Sequence, residues 1–143
     1  SARAIIPTVM AQIFDGNHEI SLGNISPTRD LTYVKDTCNG FYEIYKSKSL
    51  FGEITNIGME DEISIKDLVF LIADIMGEDI DIINDTNRVR PKNSEVERLF
   101  CNNKKLLSNT NWSPKYNIKE GLSETFNWFQ KNSKLYKSEL YNV

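Results

Sequence analysis

One amphipathic helix pattern constrains the fold of this chain more than any other feature. Apolar residues recur at helical spacing from Ile65 to Met76, Ser64 with Asp67 approximates a capping box, and Gly77 follows as the stop signal. A helix that is apolar on one face must bury that face against another element. Short strand patterns alternate with this and other helix patterns, so we predict an α/β fold.

Weaker patterns predict the other elements. A short first helix has Pro7 in its first turn, and Asp36 caps a second helix whose apolar stripe consists of Cys38, Phe41, Tyr42 and Tyr45. Asn117 and Glu120 begin a last helix, followed by a polar tail over 133–143. The predicted strands are His18–Gly23, Glu53–Gly58 and Asp79–Ile83, and the polar stretch Asp85–Glu97 predicts a loop.

Composition excludes several classes of partner. The 143 residues carry a formal charge of −3, and no cluster of Lys or Arg is longer than a pair, so we expect no nucleic acid or acidic membrane as partner. The longest apolar run, Leu68–Ala73, is far shorter than a membrane span. Cys38 and Cys101 lack the spacing of a zinc or redox motif, so we expect no metal, two reduced thiols and a cytoplasmic protein.

Catalytic motifs are mostly lacking. The single histidine, His18, lies in a polar turn, and no Gly-x-Gly-x-x-Gly loop occurs among the seven glycines, so we predict no dinucleotide site and no cofactor in this chain. Tyr42 and Lys46 have the Tyr-x-x-x-Lys spacing of a lysine-activated general base. A core aromatic residue and a cation at a helix carboxyl end explain this pair equally well, so we predict no catalytic residue.

The segment Gly23–Asp36 is the most informative, because Arg29-Asp30 is followed there by an aromatic residue and Val-x-Asp, with Ile-Ser-Leu-Gly-Asn just before it. Four further features follow in order: Asn56-Ile-Gly, Ser64-Ile-x-Asp-Leu, Arg90-Pro91, and Glu120-Gly-Leu-x-x-Thr-x-x-Trp-Phe. Together they resemble the extended short-chain dehydrogenase/reductase family, specifically NAD-dependent nucleotide-sugar epimerases and dehydratases. The resemblance spans nearly the whole chain, although Asn102 and Thr110-Asn111-Trp112 depart from the family pattern.

The resemblance implies that residues 1–143 are the carboxy-terminal, mixed α/β substrate-binding domain of a longer protein whose Rossmann domain is absent here. The implied parent is a homodimer that binds NAD through that other domain and acts on a nucleotide-diphosphate sugar, in bacterial surface-polysaccharide synthesis. The alternative is a stand-alone binding or oligomerisation module that pairs through its aromatic last helix.

The resemblance also implies the substrate contacts. Arg29 and Arg90 would bind the diphosphate, as guanidinium groups match phosphate oxygens. Ile20 and Leu22 would flank the base, and Ala4 and Ile5 would offer main-chain contacts. The ribose ligand would be Asn93, Ser94 or Glu95, of which Glu95 is preferred. The competing interpretation pairs Arg29 with Asp30 or another neighbour, and treats Arg88 and Arg90 as a solvated loop in which Arg88 is structural or peripheral.

Overall fold

The computed structural model describes residues 4–88 and 95–135. In these ranges the helices are α1 (Ile5–Phe14), α2 (Val34–Lys46), α3 (Ile65–Met76), α4 (Lys104–Asn109) and α5 (Ile118–Asn132). The strands are β1 (Glu19–Leu22), β2 (Thr28–Arg29), β3 (Ile63–Ser64), β4 (Asp81–Asn84) and β5 (Arg98–Leu99). Helices and short strands alternate, which confirms the predicted α/β class.

The two longer strands form a parallel pair. β1 lies beside β4 with Glu19 opposite Asp81 and Leu22 opposite Asn84. Parallel strands end at the same edge of a sheet, so the loops that follow β1 and β4 meet. The register therefore brings residues 23–24 close to residues 85–88, although about sixty positions of sequence separate them.

The core lies between this strand pair and three helices. Its fully buried side chains include Met10 of α1, Ile20 of β1, and Leu68 and Ile72 of α3, and Phe129 of α5 packs edge-on against Phe14 with ring centroids 5.7 Å apart. The buried Gln12 side chain accepts from Ser21 N at 2.9 Å. This amide links α1 to β1, so the helix and the strand hold one position relative to each other.

The shorter strands form a second sheet in the order β3-β2-β5, with β2 antiparallel to β3 and parallel to β5. Directly after β2, the Asp30 carboxylate accepts from the amides of Met59 at 2.8 Å, Glu60 at 3.0 Å and Cys101 at 3.2 Å. These bonds satisfy a turn in which Glu60 has a positive φ of 57°. Asp30 is therefore occupied by the backbone and does not pair with Arg29.

Two predicted helices have the predicted ends. Ser64 Oγ accepts from Asp67 N at 3.0 Å, and Gly77 closes α3 in the left-handed conformation with φ 76°. At α5, Asn117 and Glu120 form a reciprocal capping box with bonds of 2.8 and 2.9 Å. Both boundaries are confirmed because the signals that set them act within a single turn.

The predictions for the second helix and the following strand are wrong in three respects. Asp36 does not cap α2, which begins after Tyr33; its side chain is buried and accepts instead from Lys115 N and Tyr116 N. The helix stripe is exposed rather than buried. Residues 53–59 form no strand, and no pattern predicted α4, β2, β3 or β5.

Candidate functional site

A cleft of about 290 Å³ opens where the loops after β1 and β4 meet. The amino end of α1, the loop after β1, strand β2, the start of α3 and the loop after β4 all contribute to it. The lining residues are Ala4, Ile5, Thr8, Leu22, Gly23, Asn24, Pro27, Arg29, Leu31, Ile65, Arg88 and Glu95. The lining thus combines apolar side chains with two arginines and a glutamate.

The amino end of α1 faces this cleft. No side chain caps the helix at Ala4, and its first turn contains no acidic residue. The first amides of a helix have no partner within the helix and carry partial positive charge, so they attract anions. Ala4 and Ile5 line the cleft at this helix end, which is suited to bind a phosphate group, and their predicted main-chain contacts to a ligand stay a prediction.

Arg29 occupies the middle strand of the second sheet, and its side chain is largely buried, with 18% exposed. One terminal nitrogen donates to Thr28 O at 2.7 Å, and the other lies 3.4 Å from Glu95 Oε1. Glu95 is 13% exposed. The competing interpretation of Arg29 is thus correct in part: the guanidinium has an acidic neighbour, which is Glu95 rather than Asp30, and both partners line the cleft.

A second arginine, Arg88, lines the same cleft. It is not the second arginine that was predicted to bind the diphosphate, which is Arg90. Arg88 is 17% exposed, and its Nε lies 3.1 Å from Asp85 Oδ2. The sequence predicted Arg88 to be structural or peripheral; its ion pair with Asp85 agrees with a structural role, and the parallel register of β1 and β4 also carries its loop to the cleft. The pairing register of β1 and β4, which the sequence does not show, is the information needed to predict that Arg88 reaches the cleft. Arg90, Asn93 and Ser94 lie outside the described residues.

The two residues predicted to flank a base have different positions. Leu22 lines the cleft from the end of β1. Ile20, two residues earlier, is fully buried among the core residues and does not line the cleft. Side chains two apart on a strand share a face, but the cleft begins only at the carboxyl end, so the core encloses Ile20. The Ile20 side chain therefore does not reach the cleft, and its predicted position beside a base stays a prediction.

The other polar residues considered from the sequence lie elsewhere. Tyr42 is 58% exposed, and Lys46 Nζ lies 5.0 Å from its ring centroid and 2.9 Å from Glu43 Oε1. His18 Nδ1 lies 3.2 Å from Asp79 O at an exposed position. Both cysteines are free thiols, and the part of the chain that the structure describes contains no cluster of three metal-ligating side chains.

Among the described residues, no glycine with a positive φ lies in a strand-to-helix turn of the kind that holds a dinucleotide pyrophosphate. The glycines with positive φ are Gly16, Gly52 and Gly77, and each lies in a turn after a helix rather than between a strand and a helix amino end. A dinucleotide pyrophosphate requires the latter arrangement. We therefore derive no hydride-transfer step from this chain.

Comparison with known proteins identifies the fold. A family model described as GDP-mannose 4,6 dehydratase matches residues 2–125. Putative GDP-L-fucose synthase 2 from Arabidopsis thaliana is 28% identical over 133 residues, covering 90% of this chain and 39% of that protein. The crystal structure of dTDP-glucose 4,6-dehydratase from Bacillus anthracis in complex with NAD has a TM-score of 0.78 and 27% identity, covering 94% of this chain and 42% of that one.

A bacterial relative gives the same result: GDP-6-deoxy-D-mannose reductase from Pseudomonas aeruginosa is 28% identical over 105 residues, covering 73% of this chain and 34% of that protein. Fold and matches together define the class as the extended short-chain dehydrogenase/reductases. Within that class, the chain belongs to the GDP-mannose 4,6-dehydratase family. It spans less than half of the length of the relatives it matches. None of the helices in residues 4–88 and 95–135 is long and apolar enough to cross a membrane.

Proposed function

We propose that this chain is the nucleotide-sugar recognition domain of an NAD-dependent nucleotide-sugar epimerase or dehydratase. One observation carries the proposal: a single cleft brings together the amino end of α1, Arg29, Arg88 and Glu95. The parent protein that we propose is a cytoplasmic homodimer of bacterial surface-polysaccharide synthesis, and residues 1–143 are its carboxy-terminal domain. NAD would be bound by a domain that this chain does not contain.

The polar side of the cleft suits a diphosphate. Arg29 uses one nitrogen for Thr28 O and one for Glu95, which leaves its other N–H donors without a partner in the described part of the chain. A guanidinium has five such donors, arranged to bind phosphate oxygens in pairs. With the uncapped first turn of α1 on the same cleft, positive charge approaches a bound anion from two directions.

The apolar side suits a base. Leu22, Pro27 and Ile65 line the cleft beside the polar groups. Nucleobases bind in slots of this kind because their faces are weakly hydrated, and few polar contacts are needed to orient them. The uneven lining predicts that the base lies towards Leu22 and the diphosphate towards Arg29.

Glu95 is proposed to bind the ribose hydroxyl groups. A carboxylate is a pure acceptor and suits a diol, and Glu95 is already held at the cleft by Arg29. In this arrangement one carboxylate orients the arginine and accepts from the sugar. Contacts to the diphosphate, ribose and base raise the reaction rate when they hold the reacting sugar ring against a cofactor. We assign this contribution to the present chain.

Calorimetric titration of the chain with GDP, UDP and dTDP tests the proposal. We expect weak binding of at least one of them, and we expect Arg29→Ala to weaken it at least about tenfold, as befits the loss of charge-assisted hydrogen bonds. Arg98→Ala is the matched control, since Arg98 lies on the neighbouring strand, pairs with Glu62 and does not line the cleft. Equal binding by wild type and Arg29→Ala would contradict the phosphate assignment.

A second arm of the titration separates the roles of Glu95. Glu95→Gln should weaken binding of a nucleoside diphosphate, because the amide is a poorer acceptor for the ribose. The same variant should bind inorganic pyrophosphate at least as well as wild type, because the competing carboxylate no longer neutralises Arg29. A parallel loss for both ligands would assign Glu95 to positioning Arg29 alone.

The alternative hypothesis, a stand-alone binding or oligomerisation module, predicts that the partner binds to the last helix, α5. There Phe129 is buried in the core, and Trp128 is 49% exposed. The exposed aromatic residues of the described chain cluster instead on α2, which leads to a different surface.

A further inference from the structure

The end of the cleft at Leu22 adjoins a second space. Leu22 is the last residue of β1, and Gly23 and Asn24 after it line both the cleft and a neighbouring hollow of about 390 Å³. The other lining residues of the hollow are Ile25, Ile82 and Asn84. The room at this end is therefore larger than the cleft alone, so it accommodates a two-ring purine as well as a one-ring pyrimidine.

Arg88 is held at the same end of the cleft. Asn84 of β4 lies opposite Leu22 in the parallel register, and Asp85 N donates to Leu22 O at 2.8 Å. The Asp85 carboxylate in turn accepts from Arg88 Nε at 3.1 Å. One residue thus ties the arginine to the end of β1, so Arg88 lines the cleft near Leu22.

Asp85 also determines the shape of the turn that carries Arg88. Its Oδ1 accepts from Asn87 N at 2.9 Å, and its main-chain oxygen accepts from Arg88 N at 3.0 Å. These bonds close the single turn over Thr86–Arg88. The Asp85 carboxylate therefore holds both the backbone of the turn and the direction of the arginine side chain. An exposed fraction of 17% for the Arg88 side chain agrees with a fixed position.

An arginine that is held at Nε suits recognition of the edge of a base. A guanidinium is planar and carries five N–H donors, four of them on its two terminal nitrogens. Guanine presents two adjacent acceptors, O6 and N7, which match a pair of such donors. Thymine and uracil present the single acceptor O4 beside a carbon, and adenine presents N7 beside an amino donor. Arginine therefore favours guanine over the other bases.

We propose that Arg88 binds the edge of the base, that Asp85 positions Arg88, and that this arrangement selects a guanine nucleoside diphosphate over a pyrimidine one. The inference rests on the proposed function, which places a nucleotide in the cleft with its base towards Leu22. The diphosphate is assigned there to Arg29 and the first turn of α1, whereas Arg88 is tied to the end of β1. The two arginines of the cleft thus have separate roles.

Calorimetric titration of the chain with GDP, UDP, dTDP and 7-deaza-GDP tests the inference. The 7-deaza analogue carries a C–H group in place of N7, so it lacks one of the two acceptors. We expect GDP to bind at least about fivefold more tightly than each of the other three ligands. Equal affinity for GDP and any of them would overturn the selection of guanine and leave the proposed function intact. A chain that binds no nucleotide would contradict both.

Variants of Arg88 separate base recognition from phosphate binding. Arg88→Ala should abolish the preference for GDP over UDP. Arg88→Lys should abolish it as well, because an ammonium group keeps the charge but lacks the planar pair of donors. Pyrophosphate has no base and is the reference ligand: if Arg88→Ala weakens pyrophosphate as much as GDP, Arg88 binds phosphate and the proposal is wrong. A preference for GDP that survives both substitutions would also overturn it.

A double-mutant cycle tests the positioning role of Asp85. Asp85→Asn keeps the size of the side chain but weakens its bond to Arg88, so the preference for GDP over UDP should fall at least about threefold. In the Arg88→Ala background the same substitution should not change the preference, since no arginine remains to be positioned. Asp81→Asn is the matched control, as Asp81 is exposed on β4 and lines neither the cleft nor the hollow. A loss of equal size in both backgrounds, or in the control, would refute the positioning role.

Discussion

Similar apolar sequence patterns are buried in one part of this molecule and exposed in another. In the core region, formed by α1, α3, α5 and the β1–β4 pair, apolar periodicity coincides with burial. In the α2 region, formed by α2, residues 53–58 and the end of β5, equally periodic apolar residues are exposed. The difference teaches that periodicity reports which face of an element is apolar, but not whether this chain contains what covers that face.

The largest expected effect is a difference in the free energy of unfolding between a variant of the core region and a variant of the α2 region. Leu68→Ala empties a fully buried position of α3, and large-to-small changes of this kind cost about 2–5 kcal/mol. Phe41→Ala, on exposed α2, should change stability by less than about 0.5 kcal/mol, as surface substitutions do. Urea denaturation followed by circular dichroism measures both. Similar losses in the two variants would show that the α2 face is covered in solution.

An intermediate effect is expected at the joint between the two regions. Asp36 accepts from Lys115 N and Tyr116 N, and Trp112 Nε1 donates to its carbonyl at 3.0 Å, so α2 is held to the loop before α5. Asp36→Ala removes the buried carboxylate that accepts from these two main-chain amides, which should cost about 1–3 kcal/mol. Thermal denaturation measures the loss. Asp61→Ala is the control, as Asp61 is exposed and its carboxylate accepts only from Glu62 N.

The smallest effect concerns the sheet between the two regions. Hydrogen bonds from Arg98, and then from Thr28, lower the pKa of Glu62. Because the folded-state pKa lies below the unfolded value, the pair stabilises above the unfolded pKa, and this contribution is lost as the pH falls through the folded pKa. Glu62→Gln should therefore lower the melting temperature slightly at neutral pH, within the range of surface ion pairs. The difference from wild type should vanish in acid; a difference that persists there would point to packing instead.

The sequence predicted best what depends on a single turn of chain. The ends of α3 and α5 follow from Ser64, Gly77, Asn117 and Glu120, whose side chains or φ angles act on their own neighbours. The strands at 19–22 and 81–84 were also predicted, within two residues at each end. Local patterns predict the helix ends because their signals act within one turn, and the predicted strands form because β1 and β4 pair with each other.

Features that depend on distant contacts could not be predicted. Asp36 resembles a helix cap, but its partners lie about eighty residues further along the chain. The two-residue strands β2, β3 and β5 are too short for any alternation to appear. Residues 53–58 have the pattern of a strand, yet a strand forms only where a neighbour supplies the other half of the ladder.

The candidate site shows the same division. Arg29, Leu22, Ala4, Ile5 and Glu95 line the cleft as the family resemblance implied, but their role in binding stays a prediction. Arg88, predicted to be structural or peripheral, lines the cleft and Ile20 does not, because both positions depend on the register of β1 and β4. The sequence shows which residues a loop contains, but only the pairing of the strands shows which loops lie next to each other.

The parallel pairing of β1 with β4 has a consequence for how such proteins diversify. The strands and the helices that cover them determine stability, while the segments that follow the strands shape the cleft. Insertions or replacements in those two segments can alter ligand preference without disturbing the packed interior. Related proteins that share this scaffold can therefore acquire different specificities through changes confined to one rim.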